Sequence, residues 1–182
     1  DTLKKQNLPY EIVPLNINDL NLPDNFSSIY NTPIEFKKTF GKFTLRDYQI
    51  EAIEAFLKPS NLPYRGVLSV PTGGGKTLIG SVLANILNVK TLFLVHGKDL
   101  KAQNLETFQE VFKDTPELVG TIDAKTFKPA QITVASVDTL YSRLNNPDTE
   151  DDIKDFLKEI DFVICDECHR ATSNSFKEVV NL

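Results

Sequence analysis

Seven consecutive residues, PTGGGKT at positions 71–77, have the composition of a loop that holds phosphate groups. Glycines let the backbone curl so that successive N–H groups point at phosphate oxygens. Lys76 adds a cation within reach of β- and γ-phosphates, and the Thr77 hydroxyl can ligate Mg²⁺. The apolar run 66–70 precedes the loop and a helical pattern follows it, which is the context that such a loop requires. The residues predicted to hold a nucleotide here are Thr72, Gly73, Gly74, Gly75, Lys76 and Thr77.

Two adjacent carboxylates at the end of an apolar run form a second candidate site. The segment FVICDECH, residues 162–169, places Asp166 and Glu167 directly after four residues typical of a buried strand. Asp166 suits Mg²⁺, usually held through water, and Glu167 is then the candidate general base that orients an attacking water. Phosphoryl transfer needs mainly positioning and charge neutralisation. The pattern therefore predicts Lys76, Asp166 and Glu167 as catalytic residues, and Thr77 and Asp166 as Mg²⁺ ligands.

The same segment contains a C-x-x-C spacing, at Cys165 and Cys168, which elsewhere indicates redox or metal chemistry. Here the pair leaves a strand and encloses an acidic dipeptide, and the sequence has no further cysteines to complete a zinc site. Cys165 is better interpreted as a small buried hydrophobe. Because two cysteines are too few for a disulfide scaffold, a reducing compartment is expected, the cytoplasm or the nucleus of a eukaryote.

Composition indicates one globular domain. The 182 residues are 41% hydrophobic and 25% charged, with a net charge of −5 concentrated after residue 113. This balance neither requires nor excludes a nucleic-acid partner. No apolar run approaches the roughly 18 residues of a membrane span, and no signal-peptide pattern is present, so no membrane partner is expected. Because the chain begins without methionine and stops abruptly, we expect it to be part of a longer protein.

The elements that must position these residues alternate along the chain. Apolar runs typical of strands alternate with helical periodicity, and this pattern predicts an α/β fold with a parallel sheet covered by helices on both faces. Ligands of such sheets bind at the carboxyl ends of the strands. The predicted strands are residues 66–70, 91–95, 132–135 and 162–165, and the predicted helices between them include 76–87 and 99–112.

The amino-terminal part of the chain has a different character. Residues 1–43 are rich in Pro, Asn and Asp and are predicted to form an extended accessory segment, while residues 44–182 form the α/β lobe. A helix is expected to begin after Thr44, with Thr44 as its N-cap and Asp47 three residues on in a capping-box-like arrangement. Its predicted buried side chains are Leu45, Ala52, Ile53, Phe56 and Leu57.

PTGGGKT at 71–77 and DECH at 166–169 together resemble motifs I and II of superfamily 2 helicases, in particular the DExH branch. Three weaker segments follow the family's order: LRDYQ at 45–49, VHGKDLKAQ at 95–103 and ASVDTL at 135–140. The resemblance covers residue 44 to the end, and it is greatest to the group of XPB-like helicases, restriction-enzyme motor subunits and phage helicases of the UvsW type. It implies a RecA-like P-loop NTPase lobe, the first of two, that uses ATP and Mg²⁺.

The resemblance also implies roles for further residues. Arg46 and Gln49 would contact the adenine, and His169 would couple the nucleotide site to movement. The segments 95–103 and 135–140, which resemble the family's motifs Ia and Ib, would touch a nucleic-acid backbone through Lys98, Gln103 and Ser136, without reading bases. The alternative is that Lys98 is solvated surface and Ser136 an N-cap.

The implied activity is that of an ATP-dependent DNA helicase or translocase acting on forked or branched DNA in repair, recombination or replication. A restriction-enzyme motor subunit and an RNA helicase are the alternatives within the same class, and a non-motor P-loop nucleotide-binding protein is the alternative outside it. Family members hydrolyse ATP between two lobes. The 182 residues alone are therefore expected to bind ATP weakly, to hydrolyse it poorly and to unwind nothing.

Overall fold

The computed structural model of the chain describes residues 37–57, 66–168 and 173–180, apart from the side chains of Lys98 and Asp99. Most of the predicted accessory segment therefore lies outside the described residues. A short antiparallel hairpin of β1 (Thr39–Phe40) and β2 (Phe43–Thr44) crosses the predicted boundary at residue 43. Its Phe40 is buried in the core of the lobe, which ties this hairpin to the part of the chain that follows it.

A five-stranded sheet forms the centre of the lobe, and the predicted α/β class is confirmed. Its order is β5-β4-β6-β3-β7, in which all neighbours are parallel except β4 and β5. Every residue of β3 and β6 is buried, as expected for strands covered on both faces. The strands are β3 (Thr91–Val95), β4 (Val119–Ile122), β5 (Phe127–Lys128), β6 (Ile132–Ser136) and β7 (Phe162–Cys165).

Helices cover both faces of this sheet and divide the core in two. Successive side chains of a strand point to opposite faces, so Phe93 joins one apolar cluster with the first three helices, and Leu92 joins the other with the last three. The helices are α1 (Asp47–Leu57), α2 (Lys76–Leu87), α3 (Lys98–Val111), α4 (Val137–Leu144), α5 (Glu150–Lys158) and α6 (Asn174–Val180). Among the described residues, no helix combines the length and the apolar character needed to cross a membrane.

The first helix begins at Asp47, two residues after Leu45, where the predicted N-cap Thr44 would start it. Thr44 belongs to β2, and the carbonyl of Arg46 accepts the first helical hydrogen bond, from the N–H of Ile50 at 3.1 Å. The Gln49 side chain reaches back to the Arg46 N–H at 2.9 Å, which is the reciprocal half of a capping box. The capping residue is therefore Gln49 rather than Asp47, because a glutamine at the third helical position can reach the N–H that precedes the helix.

The strand predicted at residues 66–70 is absent from the described structure. This segment is extended but unpaired, and it leaves Val67 79% and Leu68 38% exposed. It lines one side of an open cavity of about 600 Å³ whose other side is β7. The apolar character of this segment predicted burial, but a strand also needs a neighbouring strand with which to form hydrogen bonds. Among the described residues β7 pairs only with β3.

Candidate nucleotide-binding site

Residues 71–77 fold into a tight loop that ends at the start of α2. The Gly74 N–H donates to the Pro71 carbonyl at 2.9 Å, and Gly73 and Gly75 adopt left-handed conformations with φ of 77° and 81°. A Cβ on Gly74 would lie 2.9 Å from the Pro71 carbonyl oxygen, and one on Gly75 would lie 2.5 Å from the Gln49 amide nitrogen. The loop therefore requires glycine at positions 74 and 75, because its backbone packs closely against Pro71 and Gln49.

Lys76 and Thr77 occupy the first turn of α2, on the loop side. The Lys76 ammonium lies 3.4 Å from the Val70 carbonyl, a long contact that a phosphate oxygen can replace with a stronger charge-assisted bond. The Thr77 hydroxyl donates to the Asn104 side-chain oxygen at 2.6 Å. This bond connects the phosphate loop to α3, a connection that the sequence did not indicate.

The carboxylate pair follows β7 at the same edge of the sheet. The Asp166 N–H donates to the Leu94 carbonyl at 2.9 Å, so the β3–β7 ladder continues to the first carboxylate. Glu167 is exposed and has a φ of 54°, a left-handed conformation that costs a non-glycine residue roughly 1–3 kcal/mol. Its N–H donates to the Asp166 carboxylate at 3.0 Å. The turn thus places both carboxylates at the carboxyl end of β7.

The two parts of the site meet through Asn104. Its amide nitrogen lies 3.5 Å from the Asp166 carboxylate, and its oxygen accepts from Thr77, so both predicted Mg²⁺ ligands contact one side chain. Within the described residues no group of three or more His, Cys, Asp or Glu side chains could hold a metal ion. Mg²⁺ bound here would take a hydroxyl, a carboxylate and oxygens of its ligand and water, which is how it is usually held beside phosphates. The glycine cradle, the lysine and this oxygen pair fit a magnesium nucleotide.

Gln49 contacts the phosphate loop from the start of α1. Its side chain is only 4% exposed, its amide nitrogen donates to the Gly74 carbonyl at 3.0 Å, and its oxygen accepts from Arg46. The Tyr48 hydroxyl also donates to the Gly74 carbonyl, at 2.8 Å, and receives a long contact from the Arg46 guanidinium. The start of α1 therefore braces the phosphate loop, and the adenine contact of Arg46 and Gln49 stays a prediction.

Replacing Gln49 with alanine should weaken phosphate binding itself. Because the amide holds the Gly74 carbonyl in place, its loss should weaken both ADP and inorganic pyrophosphate by roughly three- to tenfold, the value of one or two hydrogen bonds. Titration calorimetry with the two ligands measures both changes. A loss confined to ADP would instead indicate the adenine contact, and Gln131→Ala, at an exposed hydrogen-bonded amide far from the loop, is the matched control.

Of the three residues predicted to contact nucleic acid, the structure describes the side chains of two. Gln103 is exposed on α3, whereas the side chain of Lys98 and the whole of His169 lie outside the described residues. Ser136 is 2% exposed and is the N-cap of α4, because its oxygen accepts from the Thr139 N–H at 3.2 Å and its hydroxyl bonds the Thr139 hydroxyl. The assignment of that hydroxyl to a phosphate does not agree with this geometry, since a buried capping group is not presented to a ligand.

A second lysine of α3 has a structural role. The Lys101 side chain is 12% exposed, and its ammonium contacts Thr121, the Ile122 carbonyl and the Asp123 carboxylate at 3.3–3.4 Å. Asp123 in turn accepts N–H bonds from Lys125 and Thr126 at 3.0 and 2.9 Å. The cluster fixes the turn after β4.

This turn makes a pH-dependent contribution to stability. The Lys125 N–H bond, aided by Thr126 and the Lys101 charge, lowers the pKa of Asp123 from 3.8 to about 2. A lowered folded-state pKa stabilises the fold above about pH 4 and loses that contribution as the pH falls toward 2. Because the carboxylate is 40% exposed, the expected contribution is at most about 1 kcal/mol. Urea unfolding at pH 5 and pH 2.5 should therefore show a smaller change for Asp123→Asn than for the wild type or for Asp114→Asn; equal changes would contradict this assignment.

The cysteines beside the carboxylates are free, and their surroundings differ. Burial, together with the nearby Cys168 and Asp166, raises the pKa of the half-buried Cys165 thiol to about 11. A thiol of this kind stays protonated at neutral pH, so it is a poor nucleophile and a poor metal ligand. This agrees with the interpretation of Cys165 as a small apolar residue.

Together the fold and the site define the first RecA-like lobe of a superfamily 2 helicase. Residues 42–182 match the family described as "Type III restriction enzyme, res subunit", and the chain belongs to that family. The chain is 30% identical over 141 residues to the DNA 3'-5' translocase XPB2 of Sulfurisphaera tokodaii, which covers 78% of this chain and 28% of XPB2. It is also 32% identical over 130 residues to the DExH-box ATP-dependent RNA helicase DExH15 of Arabidopsis thaliana, over 70% of this chain and 11% of the relative.

Solved structures give the same fold. The UvsW helicase of bacteriophage T4 matches with a TM-score of 0.61 at 20% identity, over 89% of this chain and 56% of UvsW. The yeast splicing factor Prp28 matches with a TM-score of 0.56 at 19% identity, over 77% of this chain and 36% of Prp28. The chain spans less than a third of the length of the curated relatives named here.

Proposed function

We propose that this lobe binds Mg·ATP as one half of a nucleic-acid-stimulated ATPase that translocates on DNA. The observation that carries the proposal is the convergence of Thr77 and Asp166 on Asn104, beside the phosphate loop and Glu167, in a lobe of this family. Residues 44–182 would form the lobe together with the β1–β2 hairpin, and the rest of residues 1–43 would form an accessory segment. A second RecA-like lobe of the same protein would close the cleft, and intracellular DNA implies the cytoplasm or a nucleus.

The residues divide the work of hydrolysis between them. The loop N–H groups and Lys76 would hold the β- and γ-phosphates, and Thr77 and Asp166 would hold Mg²⁺, which supplies charge neutralisation at the transferred phosphoryl group. Glu167, exposed at the strand end, would orient the attacking water and take up its proton. Closure by the second lobe would exclude bulk water and supply the remaining positive charge.

The proposal that the nucleic acid is DNA rests on the relatives. XPB2 is named as a DNA translocase, and UvsW, a phage helicase, has the same fold. Forked or branched DNA, in repair, recombination or replication, is the substrate that we propose. A related protein is named as an RNA helicase, so RNA is the second candidate. A contact of Gln103 with the phosphate backbone would not distinguish the two, because DNA and RNA share their phosphates and differ at the 2′-hydroxyl.

ATP hydrolysis by the two-lobed protein tests the proposal. Turnover would be measured in parallel without nucleic acid and with single-stranded DNA, forked DNA or RNA. Strong stimulation by DNA, greatest for forks, is the expected result. Stimulation by RNA alone would transfer the assignment to the RNA helicases, and turnover indifferent to all of them would leave a non-motor nucleotide-binding protein.

A further inference from the structure

Asn104 is a buried polar side chain on α3 that lies between two parts of the nucleotide site. It is 4% exposed, and it contacts residues 27 and 62 positions away in the chain, Thr77 on α2 and Asp166 after β7. A buried amide costs free energy unless its hydrogen bonds are satisfied, whereas an aliphatic side chain of similar size would fill this space without that cost. The polar residue therefore calls for a reason other than packing.

The chemistry of its two partners determines which way the amide faces. An ionised carboxylate only accepts hydrogen bonds, so the amide nitrogen must face Asp166, where the separation is 3.5 Å. The amide oxygen then faces Thr77, and because an amide oxygen only accepts, the Thr77 hydroxyl must donate to it, at 2.6 Å. The hydroxyl proton is thereby held on the Asn104 side.

We propose that Asn104 is a positioning residue for the metal half of the nucleotide site, an inference that rests on the proposed Mg·ATP function. A hydroxyl can ligate Mg²⁺ only through a lone pair, so a proton turned toward the metal would oppose binding. Asn104 removes that proton from the metal side and holds a lone pair of Thr77 outward. Its amide N–H, facing Asp166, orients the carboxylate at the same time, as outer hydrogen bonds do for metal ligands generally.

Nucleotide binding with Mg²⁺ and nucleotide binding without it should respond differently to the loss of Asn104. Among the described residues, the hydrogen bonds of Asn104 go to Thr77 and Asp166 and not to the glycine loop or Lys76, so phosphate binding without metal should be nearly independent of it. The increase in affinity that Mg²⁺ adds should depend on it strongly. A residue that merely supported the fold would weaken both states together.

The test measures a fluorescent ADP derivative binding to the two-lobed protein, in Mg²⁺ and in EDTA. For Asn104→Leu we expect the ratio of the two affinities to fall about tenfold, the lower end for loss of an outer-shell partner, while the EDTA affinity changes less than about twofold. Gln109→Leu, which exchanges an exposed amide on the same helix, should keep the wild-type ratio. In a Thr77→Ala background, Asn104→Leu should lower the ratio much less, because the hydroxyl that it orients is gone.

Two results would distinguish failure of the proposed function from failure of the role of Asn104. A wild-type chain that binds ADP no better with Mg²⁺ would remove the proposed function and this inference with it. A Mg²⁺-dependent wild type together with an unchanged ratio in Asn104→Leu would overturn the inference alone. Asn104→Ala removes the same amide without adding an apolar group, so it decides the question if circular dichroism finds the leucine variant unfolded.

Discussion

Replacing Lys76 with alanine is expected to lower DNA-stimulated ATP turnover by at least about a hundredfold, while the chain keeps its fold. The loss follows from the place of the ammonium, in the first turn of α2 beside the glycine cradle, where it would bond the transferred phosphate. Removing one preorganised donor from a developing charge typically costs a factor of about 10²–10³. The measurement is steady-state hydrolysis by the two-lobed protein at saturating DNA.

The fold should tolerate this change because Lys76 contributes little to it. Its ammonium makes one contact of 3.4 Å with a backbone carbonyl, and no ion pair to Lys76 occurs among the described residues. Lys158→Ala removes a cation of similar size from an exposed pair on α5 and should leave turnover unchanged. Turnover of Lys76→Ala within a few-fold of the wild type would contradict the assignment of residues 71–77 to phosphate binding.

Replacing Glu167 with glutamine should separate binding from hydrolysis. Glutamine has the same shape but cannot accept a proton from water, so turnover should fall by about 10²–10⁴, the usual contribution of a general base. Binding of Mg·ADP should stay within a few-fold of the wild type, because the phosphate loop, Thr77 and Asp166 are unchanged. Single-turnover hydrolysis and ADP titration measure the two quantities.

A matched control makes the result specific to position. Glu178→Gln makes the same exchange at an exposed site on α6, and it should change neither binding nor turnover. If Glu167→Gln weakened nucleotide binding as much as turnover, its side chain would be holding the nucleotide rather than activating water. If neither quantity changed, the general base would have to lie elsewhere.

The part of the fold that could be predicted is the part that local pattern determines. The helix at residues 76–87 and the strands at 91–95 and 162–165 have the predicted bounds, because each is a continuous apolar or helical pattern bounded by glycine, asparagine or charged residues. The glycines and Lys76 could be identified for the same reason, because the spacing of these residues along the chain predicts the conformation of the loop.

The features that could not be predicted depend on contacts between residues that are far apart in the sequence. β4 is only four residues long and contains Gly120, so its run is too weak to predict a strand without β6 beside it. Nothing in the sequence around Asn104 or Lys101 distinguishes them from solvated residues of an amphipathic helix. Their roles arise only when α3 lies across the ends of β4 and β7.

Gln49 illustrates a third case, in which a distinctive spacing identified a residue but did not predict its contacts within the protein. Its position in LRDYQ marked it for a ligand, whereas the structure uses both ends of its amide within the protein. A pattern of residue types identifies which side chains are special. It does not identify the partner, because the same amide can bond a base or a backbone carbonyl at equal distance.

The left-handed backbone of Glu167 has a consequence for laboratory evolution. Asparagine and glycine enter this conformation more readily than glutamate, so a library selected only for resistance to heat should enrich them at position 167. The enriched variants would have lost the carboxylate. Selection for thermal resistance and selection for turnover would therefore favour different residues at this one position, and a heat-selected lineage would need a second screen to keep its glutamate.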